Sequence, residues 1–89
     1  KVCRDVIDGK GYGELFMHST GHGLGLEVHT MPRITWMNNT RLKENNVITI
    51  EPGIYIAGWG GVRIEDDCLI TKDSCKPMNR SPKDLVIVG

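Results

Sequence analysis

His22 lies between two glycines in Gly21-His22-Gly23, Glu51 ends the apolar run Val47-Ile48-Thr49-Ile50 just ahead of Pro52-Gly53, and Glu65 follows Arg63-Ile64 and precedes Asp66-Asp67. One imidazole and two carboxylates make a mixed N/O donor set. Such a set suits Mn²⁺, Co²⁺, Zn²⁺ or Fe²⁺ better than Ca²⁺, which takes oxygen ligands. Three ligands are too few for two ions, so these residues read as part of a site whose remainder lies elsewhere. A carboxylate in an apolar strand is costly to bury unless it is paired or holds a metal, and Glu51 interrupts such a strand. A solvent-facing strand end would explain the same glutamate, and an exposed ion-paired face would explain Glu65 beside Arg63. His18, His22 and His29 are all the histidines of the chain and surround a glycine-rich stretch. A glycine on either side of His22 lets a metal or a substrate approach the backbone closely.

The elements that must position these residues follow from local pattern. Apolar residues at 2, 3, 6 and 7 have the spacing of one helical face, and Gly9, Gly11 and Gly13 end that helix. From Phe16 to His29 the glycines predict an extended segment, so that His18 and His22 are not neighbours on a helical turn. Residues 31–41, polar and marked by Pro32, read as a loop, and Asn45-Asn46 as a turn. Val47 to Glu51 is β-branched and predicts a strand. Pro52-Gly53 interrupts it, Ile54-Tyr55-Ile56 resumes, and Gly58-Trp59-Gly60-Gly61 supplies a hairpin turn. The return strand is expected over Val62 to Thr71, with Arg63, Glu65 and Asp67 on one face. Lys72-Asp73-Ser74 turns the chain again, Ser81-Pro82-Lys83-Asp84 resembles a short helical start, and Leu85 to Val88 reads as a closing apolar strand. The class is α+β, with an antiparallel, hairpin-rich sheet and flanking helices.

With 89 residues the chain allows at most one small domain. It begins at Lys1 rather than methionine, as an internal piece of a longer protein would. Eleven basic residues balance eleven acidic ones, so no net field draws the chain to nucleic acid or to a membrane surface. No apolar run approaches the roughly 20 residues that span a bilayer, and the expectation is a soluble, cytoplasmic protein. Cys3, Cys68 and Cys75 lack the paired spacing of zinc or redox sites and read as free thiols.

His18-Ser19-Thr20-Gly21-His22-Gly23-Leu24-Gly25-Leu26-Glu27-Val28-His29, Ile50-Glu51-Pro52-Gly53-Ile54-Tyr55 and Gly61-Val62-Arg63-Ile64-Glu65-Asp66-Asp67 together resemble the C-terminal half of the pita-bread metallopeptidases. Within that family the likeness is to Xaa-Pro peptidases, prolidase and aminopeptidase P, and it covers nearly all of residues 1–89. The resemblance implies two divalent ions, Mn²⁺ by preference with Co²⁺ or Zn²⁺ as alternatives. His22 and Glu51 would bind one ion, Glu65 would bridge both, and two aspartates from an earlier strand of the same protein would complete the site. His29 resembles the histidine that contacts substrate and stabilises the tetrahedral intermediate, His18 one that lines the substrate pocket, and Arg63 the arginine that orders the carboxylates. Arg33 matches the position where prolidases meet the substrate carboxylate. Thr30 departs from the pattern, since family members place Glu or Asp directly after this histidine. It is not a ligand position, so coordination should survive while the support of His29 changes.

The implied activity is hydrolysis of Xaa-Pro bonds by a metal-activated water, with Glu51 passing the proton to the leaving nitrogen. The implied partners are a proline-containing peptide and, for the intact enzyme, a second copy in a homodimer. Two other functions share the fold: a binding module that has lost catalysis, and another pita-bread enzyme such as a methionine aminopeptidase or a creatinase.

Overall fold

A computed structural model describes all residues, Lys1–Gly89. Helix α1 spans Val2–Gly9 and a single 3-10 turn covers Gly13–Leu15. Seven strands follow: β1 (Gly21–Gly23), β2 (Thr30–Ile34), β3 (Val47–Ile50), β4 (Gly53–Ile56), β5 (Gly60–Arg63), β6 (Asp66–Ile70) and β7 (Cys75–Pro77). Five of them form one sheet in the order β2-β1-β3-β6-β7, and β4 and β5 form a separate two-stranded ribbon. Every pairing is antiparallel, so the α+β class expected from the sequence stands. One helix, rather than several, flanks the sheet.

The two ladders β3·β6 and β4·β5 share a single register. Ile50 pairs with Asp66 in the first and Gly53 with Arg63 in the second. Carrying either ladder inward sets Glu51 opposite Glu65 and Pro52 opposite Ile64. Chain 47–70 is therefore one long hairpin with a gap in its ladder, as its tip residues Gly58 and Gly60 at φ +75° and +151° permit. The gap has a local cause. Ile64 N–H still donates to the Pro52 carbonyl at 3.3 Å, but Pro52 has no N–H with which to return the bond. The return strand expected to run unbroken over Val62 to Thr71 is thus split at Ile64-Glu65, and the split falls on the two glutamates.

Other expectations need correction. Residues 30–34 are an edge strand rather than loop, because an edge tolerates the missing N–H of Pro32. The stretch Phe16 to His29 is a strand only at Gly21–Gly23, and bends follow it through Ser-free, glycine-punctuated residues 25–29. Cys75–Pro77 adds a short strand that its sequence did not announce. Ser81 to Asp84 forms no helix, and Leu85 to Val88 forms no strand. Leu85 and Ile87 are about nine-tenths exposed, since no strand of this chain lies where they could pair.

Only seven residues are buried, among them Phe16, Ile48 and Cys68, far fewer than a self-sufficient domain of this length encloses. Helix α1 buries none of its residues. It is held by Arg4, which donates to the carbonyls of Gly13 and Phe16 and stacks 4.7 Å above the Phe16 ring.

All three cysteines are free. Burial, followed by the neighbouring Cys75, raises the pKa of the Cys68 thiol above its ordinary 9.0, which keeps it protonated and unreactive at neutral pH. A raised thiol pKa favours the fold below the ordinary value and ceases to do so as pH rises through the elevated one. Iodoacetamide at pH 7.5 should therefore alkylate exposed Cys75 well before Cys68, as read by mass spectrometry of timed samples. Equal rates would mean that β6 does not protect its central thiol.

Candidate metal centre

Strand register decides which side chains meet. Along β3 and the residue just after it, Thr49 and Glu51 project to one face, whereas Ile48 and Ile50 project to the other with Cys68 and Asp66 opposite them. His22 is opposite Arg33 on β2. The Gly23–Ile48 pairing puts His22 beside Thr49, whose hydroxyl accepts the His22 backbone N–H at 3.0 Å. The Glu51 N–H in turn donates to the Thr20 carbonyl at 2.6 Å. Both glycines around His22 are required by this approach: a Cβ on Gly21 would collide with the Thr49 carbonyl, and one on Gly23 with the Met31 carbonyl.

The His22 ring is fixed by its own neighbour. Its Nδ1 lies 2.8 Å from the Gly23 carbonyl, a partner that can only accept, so the Nδ1 proton is committed there. Nε2 then presents a lone pair to Glu51 Oε2, 3.3 Å away. Two lone pairs at that distance call for a cation between or beside them. Two adjacent donors on one ion at ~2.1 Å bond lengths are about 3.0–3.4 Å apart, so this pair fits a divalent metal. A backbone carbonyl on the far nitrogen is also the usual support for a metal-binding imidazole.

Glu65 faces Glu51 across the ladder gap. Burial, then the charge of Glu51, raises its pKa above the ordinary carboxylate value, while Arg63 opposes the shift. Its Oε2 lies 3.7 Å from Arg63 Nε. No three His, Cys, Asp or Glu side chains of this chain gather into a metal-holding group. The trio named from sequence is thus present as the His22–Glu51 pair with Glu65 alongside, drawn to Arg63.

A cleft of about 640 Å³ opens over this face, and His18, His22, His29, Arg33, Glu51 and Arg63 line it. The His29 ring is 4.4 Å from that of His22, tilted by 59°. His18 Nε2 is 3.1 Å from the Tyr55 hydroxyl, and its Nδ1 is 2.8 Å from the Ser19 carbonyl. The Tyr55 phenol, and after it the charge of Glu51, also raises the already high pKa of Arg63. Thr49 and Tyr55 carried no role in the sequence reading. The signal for both was parity: each is an even number of residues from Glu51 on an extended chain.

The chain matches the model of metallopeptidase family M24 over residues 1–72. It is 52% identical over 85 residues to the Xaa-Pro dipeptidase of Pyrococcus furiosus, covering 96% of this chain and 24% of that protein. Against the Xaa-Pro dipeptidase of Lactobacillus delbrueckii subsp. lactis it is 48% identical over 87 residues, 98% of this chain and 24% of the relative. Among solved structures, the Xaa-Pro dipeptidase from Bacillus anthracis superposes with a TM-score of 0.93 at 52% identity. The X-Pro aminopeptidase from Thermotoga maritima gives 0.91 at 47%; each match covers 96% of this chain and 24% of the other. The chain spans about a quarter of the length of these relatives.

Proposed function

Because the chain belongs to metallopeptidase family M24, we propose that residues 1–89 are the C-terminal part of the catalytic domain of an exopeptidase that hydrolyses Xaa-Pro bonds with two divalent ions. The observation that carries this reading is the His22–Glu51 pair, an imidazole lone pair held 3.3 Å from a carboxylate with its other nitrogen already engaged. Glu65, opposite Glu51, would be the carboxylate shared by the ions, and two aspartates from an earlier part of the same protein would complete the set. Mn²⁺ is the metal we favour, in a cytoplasmic homodimer.

When bound, the ion pair supplies the Lewis acidity that lowers the pKa of a water and polarises the scissile carbonyl. Glu51 would take up a proton from the attacking water and return it to the proline nitrogen as the bond breaks, work suited to a carboxylate at this position. His29 donates to the oxygen that gains charge, a preorganised stabilisation. Arg63, beside the Tyr55 phenol, orients Glu65 through its 3.7 Å ion pair. Arg33, on the strand next to His22, receives the carboxylate of the substrate, and His18, steadied by Tyr55, packs against its body.

The test compares two polypeptides. The 89-residue chain alone should bind Mn²⁺ or Co²⁺ weakly and cleave nothing, whereas the full-length protein should cleave Xaa-Pro dipeptides, lose activity to a chelator and regain it with Mn²⁺. Turnover by the short chain would overturn the reading, as would a full-length protein that prefers Met-peptides or creatine.

A further inference from the structure

Asp66 is on the opposite face of β6 from the cleft, the face it shares with Ile50 and Cys68. An aspartate among such neighbours needs compensation. Its Oδ1 is buried and accepts no hydrogen bond, yet Lys83 Nζ lies 3.1 Å away, near enough to neutralise its charge while off hydrogen-bonding geometry. Lys83 comes from the segment that follows β7, and that segment grips the same place twice more. The Asp67 N–H donates to Asn79 Oδ1 at 2.6 Å, and Met78 N–H to the Asp67 carbonyl at 2.8 Å.

We infer that residues 78–83 clamp the start of β6, and that Lys83 is a positioning residue for the metal centre, acting on Glu65 through Asp66. The reasoning is strand parity. Adjacent residues point to opposite faces, so Asp66 held on the back of the strand holds Glu65 on the cleft side. Without Lys83 the carboxylate of Asp66 has no cation on the back face and leaves for water. The backbone rotation that frees it carries Glu65 away from Glu51. The inference rests on the reading of Glu65 as the bridging ligand.

The experiment measures Mn²⁺ affinity of the full-length protein by competition with a chelating dye, alongside near-UV circular dichroism of the metal-free form. Lys83→Met should weaken binding about tenfold or more, the scale on which supports of metal ligands act, with the metal-free fold retained. Lys83→Arg, which keeps the charge, should bind as the parent does. Asp66→Asn combined with Lys83→Met should recover most of the loss, because a neutral side chain has less reason to leave the back face. Asn79→Ala removes a second arm of the clamp and should weaken binding even where Lys83→Met fails to accumulate. Parental affinity in Lys83→Met, or no recovery in the double variant, overturns the clamp. Glu65→Ala serves as reference: if it too binds metal like the parent, the reading of the site itself fails, whereas loss there with parental affinity in Lys83→Met refutes the clamp alone.

Discussion

Glu65→Ala in the full-length protein should abolish activity together with stable loading of at least one of the two metal ions. The glutamate stands across the ladder gap from Glu51, and the two carboxylates already strain against one another, since burial and Glu51 both raise the Glu65 pKa. Such a pair is relieved by a cation between its members. Under the proposed ligand set, removing Glu65 would leave His22 and Glu51 to hold one ion, with the second lacking its shared ligand. A bound ion stabilises the transition state by several kcal/mol, and at about 1.4 kcal/mol per decade the rate should fall ~10³-fold or more. Metal content by inductively coupled plasma spectrometry after gel filtration decides the matter. Two equivalents retained, with activity intact, would remove Glu65 from the centre.

His29→Ala should separate chemistry from metal binding. The His29 ring is 4.4 Å from that of His22 and exposed to the cleft, placed to meet a substrate bound at the His22–Glu51 pair. A donor to a developing oxyanion contributes about 10²–10³ in kcat. The expected variant therefore keeps its full metal complement and a KM near the parent's while kcat drops by that factor. If metal content falls and kcat per bound metal is unchanged, His29 supports the ligands instead of the reaction. Thr30 follows it directly, where the sequence resemblance leads one to expect an acidic residue. Thr30→Asp should then raise kcat if an acidic neighbour improves the imidazole as a donor.

Elements built from near neighbours were legible in the sequence. The β-branched run Val47–Ile50, the glycine-rich hairpin tip and the 2, 3, 6, 7 spacing of α1 each specify structure within one window, and each is present. Structure that depends on distant partners was not legible. Pro32 argued against a strand, and only the edge position of β2 beside His22 makes it acceptable. Cys75–Pro77 has no strand signature and pairs because β6 offers it an edge. Leu85 to Val88 has the signature and no partner. The site divides in the same way. His22, Glu51, Glu65, His29, His18, Arg63 and Arg33 stood out by residue type and motif, and six of the seven line one cleft. Thr49, Tyr55 and the Asp66–Lys83 pair owe their roles to contacts between segments distant in sequence, which no single window contains.

The shared register of the hairpin also constrains how this chain can change its length. Residues 57–59 at the tip lie outside both ladders, so loops of other sizes there leave Glu51 and Glu65 face to face. One residue gained or lost between Glu51 and the tip, or between the tip and Glu65, is different. It reverses the parity of one arm and turns one glutamate to the back of the sheet, unless the other arm changes by the same amount. A relative could thus keep every recognisable motif of this centre and still lack the centre. Counting residues on the two arms of the hairpin would distinguish it.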